Sequence, residues 1–173
     1  MSVCGIYSEA TRENHVTLKI LTVPLWGMSV ELPFAPVDDV IRRNADGLRV
    51  SADAAEELAK RIQREGAKLA AEAAERADAD GRKTLMVEDF DVRTVPDKDD
   101  LALPIAPVDR VARLDIGDRY RVSMDARIAL ASILESYADD VATATAILAR
   151  HAGRRTIKGE DVVVYYELEQ YFE

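Results

Sequence analysis

Two short basic segments each occur twice in this chain, and their side chains could bind anionic oxygen atoms. Arg49-Val-Ser51 returns as Arg121-Val-Ser123, and Arg82-Lys-Thr84 returns as Arg154-Arg-Thr156. Guanidinium, ammonium and hydroxyl groups all donate hydrogen bonds, and the two cations are common partners of phosphate. These residue types therefore favour binding of an anionic surface over chemical transformation of a substrate.

Catalytic or metal-binding chemistry has no comparable support. The sequence has no glycine-rich phosphate loop and no paired metal-ligand motif, and its single cysteine, Cys4, has no evident activating histidine. The many carboxylates fall on predicted solvent faces or in the first turns of predicted helices. We therefore predict that the protein is not an enzyme and needs no cofactor or metal ion.

The basic segments belong to a longer internal repeat. Glu31-Leu-Pro-Phe-Ala-Pro36 returns as Ala102-Leu-Pro-Ile-Ala-Pro107, in the same order and at nearly the same offset as the basic segments. Such a repeat indicates two copies of one structural unit, and each copy is short for an independent core, so the copies are expected to pack together. The predicted divisions are an unmatched extension (1–27), copy one (28–94), an acidic linker (95–101) and copy two (102–173).

Each copy is predicted to contain a short helix, a long helix and a short final helix. The first helices, 37–43 and 108–114, follow Pro36 and Pro107, and proline suits a first helical position. Ser51 begins the long helix of copy one and is predicted to cap it, as Ser123 is in copy two.

The long helix of copy two has the clearer pattern. Apolar residues recur at spacings of three and four from Leu130 to Leu148, before Gly153 ends the helix. The stripe in copy one consists mostly of alanines, which bury little surface. Final helices are predicted to start near Val87 and Lys158.

Composition limits the setting in which the protein works. The net charge is −9 and the pI is near 4.8, which taken alone argues against binding to nucleic acid. The excess of arginine over lysine, with many acidic residues, is typical of proteins in concentrated cytoplasmic salt, although an acidic protein from a high-GC genome is an alternative. No apolar run approaches the roughly 20 residues that span a bilayer, and no signal peptide is recognised, so a cytoplasmic location is predicted.

The extension 1–27 matches nothing else in the chain. Its segment 15–23 could form a strand, but a lone strand has no partner with which to pair. We predict disorder for the extension and note Met28 as a natural start of the repeated part.

Copy two resembles the archaeal histones. The resemblance rests on Leu103-Pro-Ile-Ala-Pro107, Arg121-Val-Ser123, Leu148-Ala-Arg-His-Ala-Gly-Arg-Arg-Thr-Ile-Lys158 and Glu160-Asp161, and residues 31–92 match the same template more loosely. It implies an all-α protein of two tandem histone folds, fused as in haloarchaea. The two folds would pack as an intramolecular handshake pseudo-dimer in which the long helices cross.

The resemblance also implies that the chain binds double-stranded DNA, bends or wraps it with little sequence specificity, and is associated with the nucleoid. In this reading Arg49 and Arg121 reach into the minor groove, and a second set contacts phosphates: Lys83, Thr84, Arg155 and Thr156. In a handshake the first loop of each fold lies beside the second loop of the other. Arg49 is then expected near Arg155 and Thr156, and Arg121 near Lys83 and Thr84.

Other loop arginines have a structural interpretation. By the same resemblance, Arg82 is expected to pair with Asp89 and Arg154 with Asp161. The alternative for the groove and phosphate residues is that they are solvated loop charges.

The first helices and the far ends of the long helices differ between the copies. The family's two basic first-helix residues are matched by Arg110 and Arg113 in copy two, whereas copy one has Asp39 and Arg42. By the resemblance, the first helices form a third DNA contact made by Arg42, Arg110 and Arg113, and an aspartate that faces phosphate weakens it. The family's self-association residues are matched by Leu148, His151 and Asp161, of which copy one keeps only the aspartate, so one end is expected to join two chains into a closed pair. The alternative for His151 is an exposed histidine without a partner.

A protein-interaction role is the competing hypothesis. Histone-fold pairs also serve as components of transcription factors, in which protein contacts dominate and DNA contact is weak. The acidic surface and the unequal copies suit a transcriptional regulator with transcription-related protein partners.

Overall fold

The computed structural model describes residues 29–171, so the predictions for the extension 1–27 lie outside the described part. Two long helices are each preceded by a shorter one, and a fifth helix follows the second long helix. Their bounds are α1 (Phe34–Asn44), α2 (Ala52–Ala79), α3 (Ile105–Ile116), α4 (Met124–His151) and α5 (Gly159–Glu169). Short 3₁₀ segments cover Val87–Phe90, Lys98–Asp100 and Gly117–Arg119. The predicted all-α fold with two tandem units is confirmed.

The two copies share one core. The long helices α2 and α4 pack against each other, and α1 packs on α4 while α3 packs on α2, so each short helix also covers the other copy. Leu58, Ile62, Leu130 and Leu134 are all fully buried within a single continuous cluster. Because each short helix packs on the long helix of the other copy, two short copies form a core that neither could form alone.

Two pairs of very short parallel strands join the loops of the copies. Strand β1 (Arg49–Val50) pairs with β4 (Thr156–Ile157), and β2 (Thr84–Leu85) pairs with β3 (Arg121–Val122). Each strand pair connects the loop before one long helix to the loop after the other long helix. This is the loop arrangement expected of a handshake.

The two predicted serine caps behave differently. Ser123 Oγ accepts a hydrogen bond from Ala126 N at 3.2 Å, as an N-cap should. Ser51 Oγ instead donates to Ile157 O at 2.8 Å and makes no cap bond. Ser51 therefore stabilises the junction between the copies rather than its own helix.

Two details differ from the sequence prediction. The first helices begin three residues before the predicted starts at 37 and 108, so Pro36 and Pro107 are the third helical residue, still in the turn where N–H groups lack partners. The final helix of copy one is only the 3₁₀ segment Val87–Phe90, after which Asp91 has a left-handed φ of 56°. In copy two the final helix, α5, begins at Gly159, next to Lys158 as predicted.

Candidate nucleic-acid interface

The first loop pair, which comprises β1 and β4, brings basic residues of both copies together. Arg49 N donates to Arg155 O at 2.9 Å, and Arg49 pairs in register with Thr156. The side chains of Arg49 and Arg155 are exposed, and neither forms an ion pair with any residue in the range 29–171. Two guanidinium groups at this junction can therefore bind an external anion.

The second loop pair, β2 and β3, has the same backbone arrangement as the first, but one of its basic side chains is neutralised by a carboxylate. Arg121 N donates to Lys83 O at 2.9 Å, and Arg121 is exposed without an ion pair among the described residues. Lys83 Nζ, however, lies 2.6 Å from Asp78 Oδ1. Tyr120 OH donates to Asp78 Oδ2 at 2.6 Å, and Lys83 Nζ is 5.0 Å from the centre of the Tyr120 ring. Lys83 must leave this carboxylate before it can contact a phosphate.

The hydrogen bond between Lys83 and Asp78 affects both groups. It raises the pKa of the Lys83 ammonium and is the largest cause of the lowered pKa of Asp78. Both changes favour the charged pair. The groups are exposed to solvent, so salt screens their attraction.

The first basic residue of each second loop is held inside the fold. Arg82 donates to both carboxylate oxygens of Asp89, at 2.9 and 2.7 Å, and Arg154 donates likewise to Asp161. Both aspartates are buried. Each also accepts a hydrogen bond from the backbone N–H three residues earlier, Met86 N at 2.8 Å and Lys158 N at 2.9 Å. These pairs fix the loops that carry Lys83 and Arg155.

Two hydrogen-bonded carboxylates, Asp89 and Asp53, make the stability of the protein dependent on pH. The hydrogen bonds from Arg82 lower the pKa of Asp89, and the nearby Ser51 hydroxyl together with the hydrogen bond from Gly159 N lowers the pKa of Asp53. A carboxyl with a depressed folded pKa stabilises the fold above its unfolded value, about 3.9, and loses that contribution as the pH falls through the folded pKa. We expect the urea midpoint of unfolding to fall between about pH 5 and pH 2. An Asp89→Asn protein should show a flatter profile, and an equally steep one would contradict the assignment.

The first-helix arginines are all neutralised within the chain. Arg42 pairs with Asp38 on its own helix, and Arg113 pairs with Asp109 at 3.0 Å in the same way. Arg110 Nε lies 2.9 Å from Glu31 Oε2. Asp39 is exposed beside Arg42. The first helices therefore offer little excess positive charge to an external anion.

Comparison with known proteins identifies the class of the chain. Residues 30–92 and 101–164 both match the family model described as "Histone-like transcription factor (CBF/NF-Y) and archaeal histone". The chain belongs to this histone-fold family. The family comprises histone-like transcription factors and archaeal histones.

Two relatives agree with that assignment. One component of the archaeal histone HAN1 from Thermococcus zilligii is 53% identical over 60 residues, which cover 35% of this chain and 87% of the relative. The crystal structure of the histone from Methanopyrus kandleri superposes with a TM-score of 0.57 and 25% identity, over 76% of this chain and 90% of that one. The second match extends across both copies, whose described parts are called fold 1 (29–94) and fold 2 (102–171) below.

The far end of fold 2 has an apolar groove of about 340 Å³. Its lining residues are Ala144, Ile147, Leu148, Tyr165, Leu168 and Glu169. Of the predicted self-association residues, Leu148 lies in this groove, His151 is exposed at the end of α4, and Asp161 is buried. The apolar surface of the groove therefore extends beyond the three predicted residues to Ile147, Tyr165 and Leu168.

One exposed basic residue was not predicted from the repeat. Arg119 lies next to the second loop pair, with its guanidinium carbon 5.9 Å from the centre of the Tyr120 ring. Its counterpart in fold 1 is Gly47, so the alignment of the copies gave no signal. A search for every arginine beside a predicted loop residue would have included it.

No helix in the range 29–171 is both long and apolar enough to cross a membrane. Among the same residues, no group of three or more histidine, cysteine or acidic side chains could hold a metal ion.

Proposed function

We propose that this chain binds double-stranded DNA and bends or wraps it with little sequence specificity, as a chromosome-associated histone. The observation that carries the proposal is the pairing of loops between the folds. It places Arg49 with Arg155 and Thr156 at one junction, and Arg121 with Lys83 and Thr84 at the other. Two basic junctions on one compact body can hold two stretches of the same duplex.

The chemistry of these junctions favours DNA shape over base identity. Arginine side chains that enter a minor groove respond to its width and negative potential, and hydroxyl and backbone N–H groups bind phosphate oxygens. None of these contacts distinguishes the four base pairs in the manner of a major-groove helix. The proposed contact set is therefore tolerant of sequence and sensitive to how readily the duplex bends.

The neutralised first helices make the loops the main source of affinity. Arg42, Arg110 and Arg113 would have to exchange an internal carboxylate for a phosphate, so the gain is small. In molar salt the Debye length is about 3 Å and little counterion release remains to drive binding. Binding under such conditions would depend on close groove contacts made by Arg49 and Arg121.

The second candidate function is a regulatory histone-fold module with protein partners and weak DNA contact. The internal ion pairs of the first helices and the net charge of −9 favour it. The two functions differ in whether the loop arginines determine duplex binding at the working salt concentration.

The test is the affinity of the full chain for a duplex of about 60 bp, measured from about 0.1 M to about 3 M KCl. The Arg49→Ala/Arg121→Ala protein should bind more weakly by about 100-fold or more at low salt, because two groove contacts are lost. Arg64→Ala/Arg93→Ala is the matched control, since both arginines are exposed, unpaired among the described residues and outside the loop pairs.

Binding by the wild type in molar salt, lost in the loop variant and kept in the control, supports the histone function. Equal binding by the loop variant and the wild type would overturn it. Loss of all binding above a few tenths molar salt would favour the regulatory module.

We also propose that two chains associate through the fold 2 end into a closed pair. The apolar groove there supports this, with Leu148 in its lining and His151 nearby. Asp161 already binds Arg154 and Lys158 N, but a carboxylate has further lone pairs that could accept from His151 of a second copy.

A further inference from the structure

A network of charges, of which only Glu135 is buried, joins the first helix of fold 1 to the long helix of fold 2. Arg43 Nη1 lies 2.8 Å from Glu135 Oε1, and Arg43 Nε donates to Asp139 Oδ1 at 2.8 Å. Asn44 Nδ2 donates to the same Asp139 oxygen at 2.6 Å. Glu135 is only 7% exposed, so its charge depends on these partners rather than on water.

The second oxygen of Glu135 is also occupied. Glu135 Oε2 accepts hydrogen bonds from Ala102 N at 2.7 Å and Leu103 N at 3.1 Å. This carboxylate therefore connects three segments: the end of α1, the middle of α4 and the chain that enters α3. Both of its oxygens face protein groups.

The repeat-related position, which involves the end of α3 and the middle of α2, has no such network among the described residues. The repeat matches Arg43 with Leu114, Glu135 with Gln63 and Asp139 with Ala67. Gln63 is buried, accepts from Glu31 N at 2.7 Å and donates to Ser29 O at 3.1 Å. A neutral amide thus holds the chain entering α1, with no arginine required.

These differences make the two folds unequal as partners. In a pair of two fold 2 units, Glu135 and Asp139 would face Leu114 and Asp115 in place of Arg43 and Asn44. Without the arginine, the buried Glu135 keeps its backbone hydrogen bonds but has no counter-ion, and Asp115 adds a like charge. In a pair of two fold 1 units, Arg43 would face a glutamine and an alanine.

Packing at the crossing of the long helices gives a second, independent difference. A Cβ placed on Gly66 of α2 would lie 2.7 Å from Val111 Cγ1 and 2.9 Å from Leu134 Cδ1. The counterpart of Gly66 in fold 2 is Ala138. In a fold 2 pair this alanine would meet those side chains, and valine has little rotamer freedom with which to move away.

We propose that the Arg43–Glu135–Asp139 network and the Gly66 contact with Val111 and Leu134 form a pairing code that joins fold 1 only to fold 2. Fold 2 rejects a second copy of itself, and a fold 1 pair lacks the ion pairs that Arg43 makes in the mixed pair. A second chain can then associate through exterior surfaces but not by substituting its fold for the matching one. The inference concerns the interior of the protein and is independent of the proposed DNA binding.

The direct test uses the whole protein with a protease site placed in the linker 95–101. After cleavage, the chain is unfolded in denaturant and refolded with both halves present, and native mass spectrometry counts the pairs. Random pairing would give about half of the pairs as like with like, whereas the code predicts an excess of mixed pairs of at least about tenfold. A Gly66→Ala/Arg43→Leu chain, whose fold 1 resembles fold 2 at these positions, should lose most of that excess. A random mixture from the wild type would overturn the proposal.

A second measurement uses the intact chain and does not depend on refolding of the halves. Glu135→Gln should lower the urea midpoint of the wild type, because Arg43 loses a partner. In an Arg43→Leu background the same substitution should raise the midpoint, because it removes an unpaired buried charge. Arg64→Leu, at an exposed helical position, is the control background in which Glu135→Gln should act as it does in the wild type. Equal effects of Glu135→Gln in all three backgrounds would contradict the charge part of the code.

Discussion

Replacement of Asp161 by alanine should lower the melting temperature of the whole protein by on the order of 10 °C, since a buried charge pair is broken. Asp161 is 2% exposed, binds Arg154 through both oxygens and caps α5 through Lys158 N. Among the described carboxylates, alanine leaves Arg154 with only the exposed Glu160, 3.7 Å away, and it leaves the first turn of α5 without its acceptor. Because both folds share one core, the loss should appear in a single cooperative transition.

Asp161→Asn separates the two contributions. Asparagine keeps one acceptor oxygen for the cap but loses the negative charge, so an intermediate melting temperature is expected. Glu160→Ala is the matched control, because Glu160 is the adjacent, exposed residue in the same turn and its replacement removes only the longer, exposed contacts to Arg154 and Lys158. A melting temperature for Asp161→Ala equal to that of the control would show that the buried pair does not stabilise the fold. Calorimetry of the three proteins measures the difference.

The positions of the loops could be predicted from the sequence, but the state of their side chains could not. The repeat and the family resemblance together predicted that Arg49 would lie near Thr156 and Arg121 near Thr84, and both pairs are in register. Backbone positions follow from the pairing of two similar copies. The neutralisation of Lys83 depends on Asp78 and on Tyr120 from the other fold, and single positions of that kind carry no periodic signal.

The same limit applies to the first helices. Arg110 and Arg113 match the basic positions of the family, which says nothing about whether Glu31 and Asp109 lie within reach of them. An arginine and an aspartate four residues apart on a helix could have been recognised as a pair from spacing alone. The contact between Arg110 and Glu31 joins the two copies, so it could be recognised only from the folded structure.

The charge network at Arg43 was visible in the sequence only as a mismatch between copies. Leu114 stands at the counterpart of Arg43, and Gln63 at that of Glu135. Differences between two otherwise similar repeats mark places where their environments differ. The fold adds that these two mismatches meet, so that they form one site rather than two unrelated substitutions.

The truncated last helix of fold 1 contributes to the difference between the ends of the molecule. Only the 3₁₀ segment Val87–Phe90 stands where fold 2 has α5. The groove positions Ala144, Ile147 and Leu148 are matched in fold 1 by glutamate, glutamate and Arg76. Arg76 lies 3.2 Å from Asp91 and donates to Asp89 O, so this end is charged and internally paired. One apolar end and one charged end favour a closed pair over an open chain.

The Ile147→Glu/Leu168→Glu protein should therefore be a monomer at concentrations at which the wild type is a dimer, with association weakened by about 100-fold or more. Ile147 is 58% exposed and Leu168 is 42% exposed, so the substitutions remove little from the core and the melting temperature of the monomer should change little. In a pair the glutamates would be buried without partners, which is costly. Sedimentation velocity of the full chain measures the assembly state, and Glu75→Gln at the opposite end is the control that should remain dimeric. An Ile147→Glu/Leu168→Glu protein that remains dimeric would show that two copies meet through another surface.

The converse variant, Glu75→Ile/Arg76→Leu, gives fold 1 an apolar end as well, and chains with two such ends should form open, concentration-dependent oligomers.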